Sequence, residues 1–309
     1  MTADRGRPGA GRRRARLVGV GVGVLLFAAA VTAITMRSDD LSGAISAARE
    51  APSWLFLALL ASIAMGPLLT GASFHVLTRR YGRVGLPEMV ALITGAWLLN
   101  YLPLWPGLAS RVAYHKAVNR IRVADSTQVI VQASLLSALA ASIMAVLLIA
   151  LARPLGMTGT GAVALGLAGG LGAAALALIR SSGPEHAWRP YAALALRTLE
   201  LVNWAVRYAL AITIVGGSIT AEGALAIAAL VRLALLVPIA PNGIGVREWA
   251  IGLSAAAIAA GMTTELGLAA GLLDRAFEVA VAVPMGLLAA GLLAKWQRNA
   301  LGSDQTNLA

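Results

Sequence analysis

The sequence predicts an all-α polytopic membrane protein: six spans plus two Pro/Gly-broken re-entrant hairpins, arranged as an inverted-topology repeat with the N- and C-termini cytoplasmic. Three observations predict it. The 309 residues are 59% hydrophobic and only 13% charged, with a mean hydropathy of +0.78, whereas soluble domains are about a quarter charged. Six stretches reach the roughly 20 apolar residues needed to cross a hydrocarbon core about 30 Å thick. Two further apolar runs are each interrupted near the middle by prolines and glycines.

The first span, residues 17–36, follows Arg12, Arg13, Arg14 and Arg16. A basic start before an apolar run also describes a secretory signal, but this run is span-length and more spans follow, which favours an uncleaved helix. Residues 1–16 read as a basic, disordered cytoplasmic tail lying against anionic headgroups. The membrane domain then covers 17–295, with a first repeat over 53–151 containing spans 53–78 and 125–151. A connecting span at 160–179 leads to a second repeat over 191–294, containing spans 191–215 and 264–294. Residues 296–309 read as a second cytoplasmic tail.

Orientation follows from the basic residues, because cytoplasmic loops carry the excess of Lys and Arg. With the N-terminus inside, 17 of the 25 bases fall on the cytoplasmic side. Only Arg37, Arg49 and Arg153 fall outside, and Arg197, Arg207, Arg232, Arg247 and Arg275 lie in or near apolar segments. The same count places both termini inside.

The interrupted runs are residues 88–122 and 222–262. Proline removes a backbone donor and clashes with the preceding turn, so neither run is one straight helix. Each reads as a helix, a break and a second helix; two full spans with a tight loop are the alternative. The breaks correspond: Pro103, Pro106, Gly107 and Arg111 match Pro238, Pro241, Gly243 and Arg247, with one residue inserted before the glycine and Gly245 following in the second copy. Each hairpin is preceded by one span and followed by another. With the orientation above, the first hairpin enters from the cytoplasmic side and the second from the outer side. Broken helices in corresponding positions of inverted repeats are the sequence pointer to a transport site near the midplane.

Charges at membrane depth are costly and are functional-site candidates. Glu200, Asn203 and Arg207 share one face of the span at 191–215. Asp274 and Glu278 share a face of the last span, with Arg275 beside them. Arg232 lies in the first arm of the second hairpin, and Arg247 with Glu248 begins its second arm. These eight ionisable groups are four acids and four bases, which fits a paired structural network. The other reading is that part of the network borders a hydrated cavity, where an arginine fork holds a phosphate. Arg111 and Arg247 add cationic charge near the donor-rich starts of helices.

Several classes of chemistry have no residues to support them. Cysteine is absent and there are three histidines, so thiolate or histidine metal cages and Cys nucleophiles are not expected. No phosphate-binding Gly-x-x-x-x-Gly-Lys, zinc-type His-Glu-x-x-His or hydrolase Gly-x-Ser-x-Gly occurs, so neither an ATP-driven pump nor an enzyme is indicated, and no cofactor is expected. The net charge of +11 is read as topological, not as a sign of nucleic acid.

The segment from Asn100 to Arg111, with Pro103, Pro106 and Gly107, and the segment Pro238-Ile-Ala-Pro241-Asn-Gly243-Ile-Gly245-Val-Arg-Glu248 resemble the lysylphosphatidylglycerol synthase transmembrane-region family. These are flippase-like integral membrane proteins of bacteria and archaea. The resemblance covers roughly residues 50–295. The family's first motif continues Gly-Glu-x-x-Arg, whereas Leu108 stands here at the Glu position. The resemblance implies a stand-alone member without the synthase domain, in a bacterial cytoplasmic membrane. It implies a lipid translocase for an anionic phospholipid, an aminoacyl phospholipid or a polyprenyl-linked lipid. The alternative is a non-transporting accessory subunit working with an envelope-lipid enzyme. Headgroup contact is expected from Arg111, Arg232 and Arg247, with Glu248, Glu200, Asp274 and Glu278 as counter-charges or gates.

Overall fold

The computed structural model describes residues 24–25, 27–32, 38–102, 106–151, 188–236 and 241–306. The basic tail 1–16, the connecting span 160–179, Pro103 and Pro238 lie outside the described residues. Of the first predicted span, 17–36, the described positions are all helical.

Nine further helices follow among the described residues: α1 (Ser38–Glu50), α2 (Ser53–Thr78), α3 (Leu86–Leu99), α4 (Pro106–Ala117), α5 (Val123–Leu151), α6 (Trp188–Ile214), α7 (Ala221–Ala234), α8 (Val246–Ile258) and α9 (Thr264–Thr306). No strand occurs among them. Local chemistry fixes several of the starts. Pro52 immediately precedes α2, and Pro87 sits in the first turn of α3, where a missing N–H costs nothing. Glu88 reaches back to the Gly85 amide at 3.3 Å, and the Thr220 hydroxyl accepts the Gly223 amide at 3.1 Å to begin α7.

Among the described residues three helices are long and apolar enough to cross a membrane: Ser53–Thr78, Val123–Leu148 and Thr264–Arg298. The 27-residue α6 has comparable length but carries Arg197, Glu200 and Arg207 on its buried side. The arms α3, α4, α7 and α8 have 14, 12, 14 and 13 residues. At 1.5 Å per residue each is about 18–21 Å long, short of a core about 30 Å thick.

Two segments differ from the sequence expectation. Residues 38–50, expected within an outer loop, form α1, which packs on α9 and α6 and buries Ala44. The expected tail after residue 295 is helical as far as Thr306; Lys295-Trp-Gln-Arg-Asn-Ala-Leu has no helix breaker, and the helix continues through Gly302.

The packing has an internal symmetry. Exchanging α2 with α6, α3 with α7, α4 with α8 and α5 with α9 turns each closely packed pair of these helices into another pair that is also closely packed. Thus α9 packs on α3 as α5 packs on α7, and α2 and α6 pack on each other. The two units are entwined, each closing span lying against the other unit's hairpin.

Apolar and charged groups are distributed the opposite way from a soluble protein. Leu57, Leu287 and Leu288 are more than 60% exposed, while Arg207, Glu248, Asp274 and Glu278 are buried. An outer surface of large aliphatic side chains around buried ions suits a lipid surround. Two large apolar clusters flank those ions. Leu201, Tyr208, Ile212, Ile227, Val231 and Ile251 join α6, α7 and α8, and Phe74, Leu77, Met89, Ile93, Val129 and Leu136 join α2, α3 and α5.

Candidate functional site: an arginine-lined cavity

The second hairpin turns through Asn242, Gly243 and Gly245 at φ of 50°, 66° and 80°. Asparagine and glycine are the residues that adopt this left-handed region most readily, so the Pro-Asn-Gly-x-Gly sequence is the turn's backbone requirement. α8 then starts with Glu248, whose Oε2 accepts the Gly245 amide at 2.7 Å. In the first hairpin Gly107 lies against the Ala96 carbonyl and the Asn100 side chain, with no room for a Cβ. That close approach lets α4 fold back on α3.

Both turns meet a cavity of about 480 Å³ between the two units. Its wall takes residues from α2, α3 and α4 on one side and from α6, α7, α8 and α9 on the other. Of the predicted site residues, Arg111, Glu200, Arg207, Arg232, Arg247 and Glu278 line it, as do Gly243 of the break and, unpredicted, Arg197.

From the wall inward runs a dense ion-pair network. Arg207 bonds Asp274 through both of its carboxylate oxygens and also Glu278. Arg247, from the hairpin, bonds the same two acids. Arg275 donates Nε to Glu248 at 2.8 Å and a second nitrogen to the Asn242 carbonyl at 3.3 Å. Glu278 also receives Trp97 Nε1 at 3.3 Å and the Tyr101 hydroxyl at 2.7 Å. One carboxylate therefore joins the end of the first hairpin's leading arm to the start of the second hairpin's trailing arm.

The predicted residues thus divide into two groups. Asp274, Arg275 and Glu248 are buried in mutual pairs and do not line the cavity. Asn203 does not line it either, because its amide exchanges hydrogen bonds with Ser62 of α2 at 2.9 and 3.0 Å, fastening α6 to α2.

On the cavity side Glu200 accepts Arg197 at 2.5 Å and Arg232 at 2.9 Å. The indole of Trp204 lies between Arg232 and Arg247, at 4.7 and 5.2 Å from its ring centre. Phe74 similarly lies under Arg111 at 4.1 Å and Arg197 at 5.1 Å. Aromatic faces attract cations, so each ring accommodates two guanidinium groups that have no acid between them. Arg111 has no acid and no hydrogen-bond partner among the described residues; the Phe74 ring is its contact. It stays half-buried, facing the cavity.

Arg197 could have been found in the sequence, since it precedes Glu200 by three residues on one helix face. Trp97, Tyr101, Phe74 and Trp204 had no such signal, because their roles arise from contacts between distant segments.

Among the described residues no group of His, Asp and Glu has the arrangement to hold a metal ion. No protein-family model and no curated protein matches the chain. The reading of the site therefore rests on its own geometry.

Proposed function

We propose that the protein is a flippase-like lipid translocase: an anionic lipid headgroup crosses through the cavity between two inverted units while its acyl chains stay in the bilayer. The observation that carries this reading is the cavity wall itself. Among the described residues Arg111, Arg197, Arg207, Arg232 and Arg247 line it against two acids, Glu200 and Glu278. A cationic recess inside an apolar protein is suited to a headgroup that the bilayer core excludes.

The short arms support a re-entrant path for both hairpins, one from each leaflet, and the exchangeable packing supports the repeat. Counting bases on each side supports cytoplasmic termini in a bacterial cytoplasmic membrane. The resemblance to the lysylphosphatidylglycerol synthase transmembrane-region family points the same way. An accessory subunit without transport would need the fully paired part of the network, but not the unpaired Arg111.

Reconstitution tests this. Purified protein is placed in phosphatidylcholine vesicles carrying tail-labelled fluorescent phosphatidylglycerol or phosphatidic acid, and loss of inner-leaflet protection against a membrane-impermeant quencher is followed. Faster exchange of either lipid than in protein-free vesicles is expected. Gly66 lines the cavity where an added Cβ would meet nothing within 4 Å, so Gly66→Leu should obstruct the path and slow exchange without touching a charge. Exchange no faster than in empty vesicles for both lipids would reject the reading.

A further inference from the structure

Every arginine and acid of the site belongs to one continuous cluster. Arg111 and Arg197 share Phe74, and Arg197 and Arg232 share Glu200. Arg232 and Arg247 share Trp204, and Arg247 meets Arg207 at Asp274 and Glu278. Arg275 then closes the chain on Glu248 and Glu278. The cluster holds six guanidinium groups and four carboxylates. With Arg197 and Arg111 included it is not balanced: two positive charges are left over.

The surplus lies around Glu200 on the cavity wall and not in the network around Asp274. Asp274, Glu248 and Glu278 meet Arg207, Arg247 and Arg275, three acids for three bases. Among the described residues Arg111, Arg197 and Arg232 have only Glu200. Buried polar atoms there are also unsatisfied: Nε of Arg197 and Nε of Arg247 have no hydrogen-bond partner, although both residues are at least 95% buried. Uncompensated cations in a low-dielectric site are costly unless an anion accompanies them.

We infer that the cavity is matched to a doubly charged phosphomonoester headgroup, in preference to a singly charged phosphodiester or an aminoacylated phosphodiester. The inference rests on the translocase reading and narrows its substrate class. A phosphodiester supplies one negative charge and leaves one guanidinium uncompensated. An aminoacyl ester adds at least one ammonium to that diester, so its headgroup is neutral or cationic and faces Arg111, Arg197 and Arg232 with no attraction. A phosphomonoester supplies close to two charges and three acceptor oxygens at neutral pH, which matches the surplus and suits guanidinium forks.

Inorganic phosphate shares this chemistry, so the test separates it from a lipid. The full chain in phosphatidylcholine vesicles is assayed with tail-labelled phosphatidic acid, phosphatidylglycerol and lysylphosphatidylglycerol at pH 8 and pH 5.5. A phosphomonoester regains its second proton near pH 6, whereas a diester does not titrate in this interval. The charged groups facing the ligand are Arg111 on α4, Arg197, Glu200 and Arg207 on α6, Arg232 on α7, Arg247 on α8 and Glu278 on α9. The two carboxylates among them are each held by at least two guanidinium groups.

Phosphatidic acid is expected to exchange at least about tenfold faster than either diester at pH 8, with the ratio falling below about threefold at pH 5.5. Arg111→Gln should lower the pH 8 ratio to about threefold or less, and Arg111→Lys should retain it. Equal rates for phosphatidic acid and phosphatidylglycerol at pH 8, or a ratio indifferent to pH, would overturn the inference while leaving the translocase reading intact.

If no lipid exchanges, that reading fails and binding decides the inference separately. Dioctanoyl phosphatidic acid should then protect the protein against thermal unfolding at a concentration at least about tenfold lower than dioctanoyl phosphatidylglycerol. Equal protection by the two overturns the charge match. Protection by inorganic phosphate at the same concentration as phosphatidic acid overturns the lipid assignment. Should Arg111→Gln fail to fold, the pH dependence of the wild-type ratio remains decisive.

Discussion

Tyr101, just beyond the first hairpin's leading arm, donates its hydroxyl at 2.7 Å to Glu278, 177 positions away on α9. The same carboxylate is bound by Arg247 from the second hairpin. Replacing Tyr101 with Phe removes one hydrogen bond to a buried charge and leaves the Trp97 indole 3.3 Å from the same oxygen. Such a bond is worth about 1.5–3 kcal/mol, so Tyr101→Phe should lower thermal stability measurably in detergent. Unchanged unfolding would mean that Glu278 is satisfied without Tyr101.

Breaking the network around Asp274 should cost more. Asp274 is fully buried and holds both Arg207 and Arg247. Asp274→Asn leaves those two guanidinium groups with Glu278 alone, an uncompensated buried charge. The expected loss is about 3–5 kcal/mol, read as a large fall in unfolding temperature or in the yield of folded protein. Arg247→Ala should behave alike, which makes loss of transport in that variant a poor indicator of headgroup contact.

Arg111 should respond in the opposite sense. It faces the cavity with an aromatic contact and no carboxylate, and Arg197 shares the same ring. Arg111→Gln removes a cation from beside another cation, so stability should be unchanged or higher, while lipid exchange falls. Gain of stability with loss of activity is the expected pattern for a site held under strain for function. A marked destabilisation would assign Arg111 a structural role.

The spans were legible wherever hydropathy ended abruptly. α2 runs from Ser53 to Thr78, the expected limits, because Pro52 and the pair Arg79-Arg80 bound the apolar run. The interrupted segments do change to a second helix near the predicted breaks, although proline alone does not mark such a break: Pro67 and Pro284 stay inside α2 and α9. α1 was not legible, because a short helix with Asp39, Asp40 and Arg49 near its ends lacks the length and apolarity that mark a span. In the site, spacing revealed the faces of α6 and α9 but not the charge balance. Joining Arg111 to Arg197 required knowing that Phe74, on α2, lies against both. The surplus of cations therefore emerges only once helices distant in sequence are packed together.

The chain contains no cysteine, so single-cysteine variants can report water in the cavity directly. Thr70 lines the cavity, whereas Ala141 is fully buried in the core. Thr70→Cys should react with a charged, membrane-impermeant thiol reagent, and Ala141→Cys should not. Prior incubation with dioctanoyl phosphatidic acid should slow the reaction of the Thr70→Cys variant. An unreactive Thr70→Cys would mean that the cavity is closed to solvent.

Two glycines near the cavity should differ sharply on receiving the same methyl group. At Gly107 a Cβ collides with the Ala96 carbonyl oxygen and the Asn100 side chain. Backbone cannot yield as a flexible side chain can, so α4 would have to move away from α3. Overpacking of this kind costs about 1–3 kcal/mol, and Gly107→Ala should be destabilised by at least that. At Gly66 a Cβ meets nothing within 4 Å, and an alanine there restricts the unfolded chain more than the folded one. Gly66→Ala should then be neutral or slightly stabilising, by up to about 1 kcal/mol. The contrast separates tight closure of the first hairpin from the emptiness of the chamber it borders. Equal tolerance at the two positions would show that the close crossing of α3 and α4 does not hold the hairpin shut.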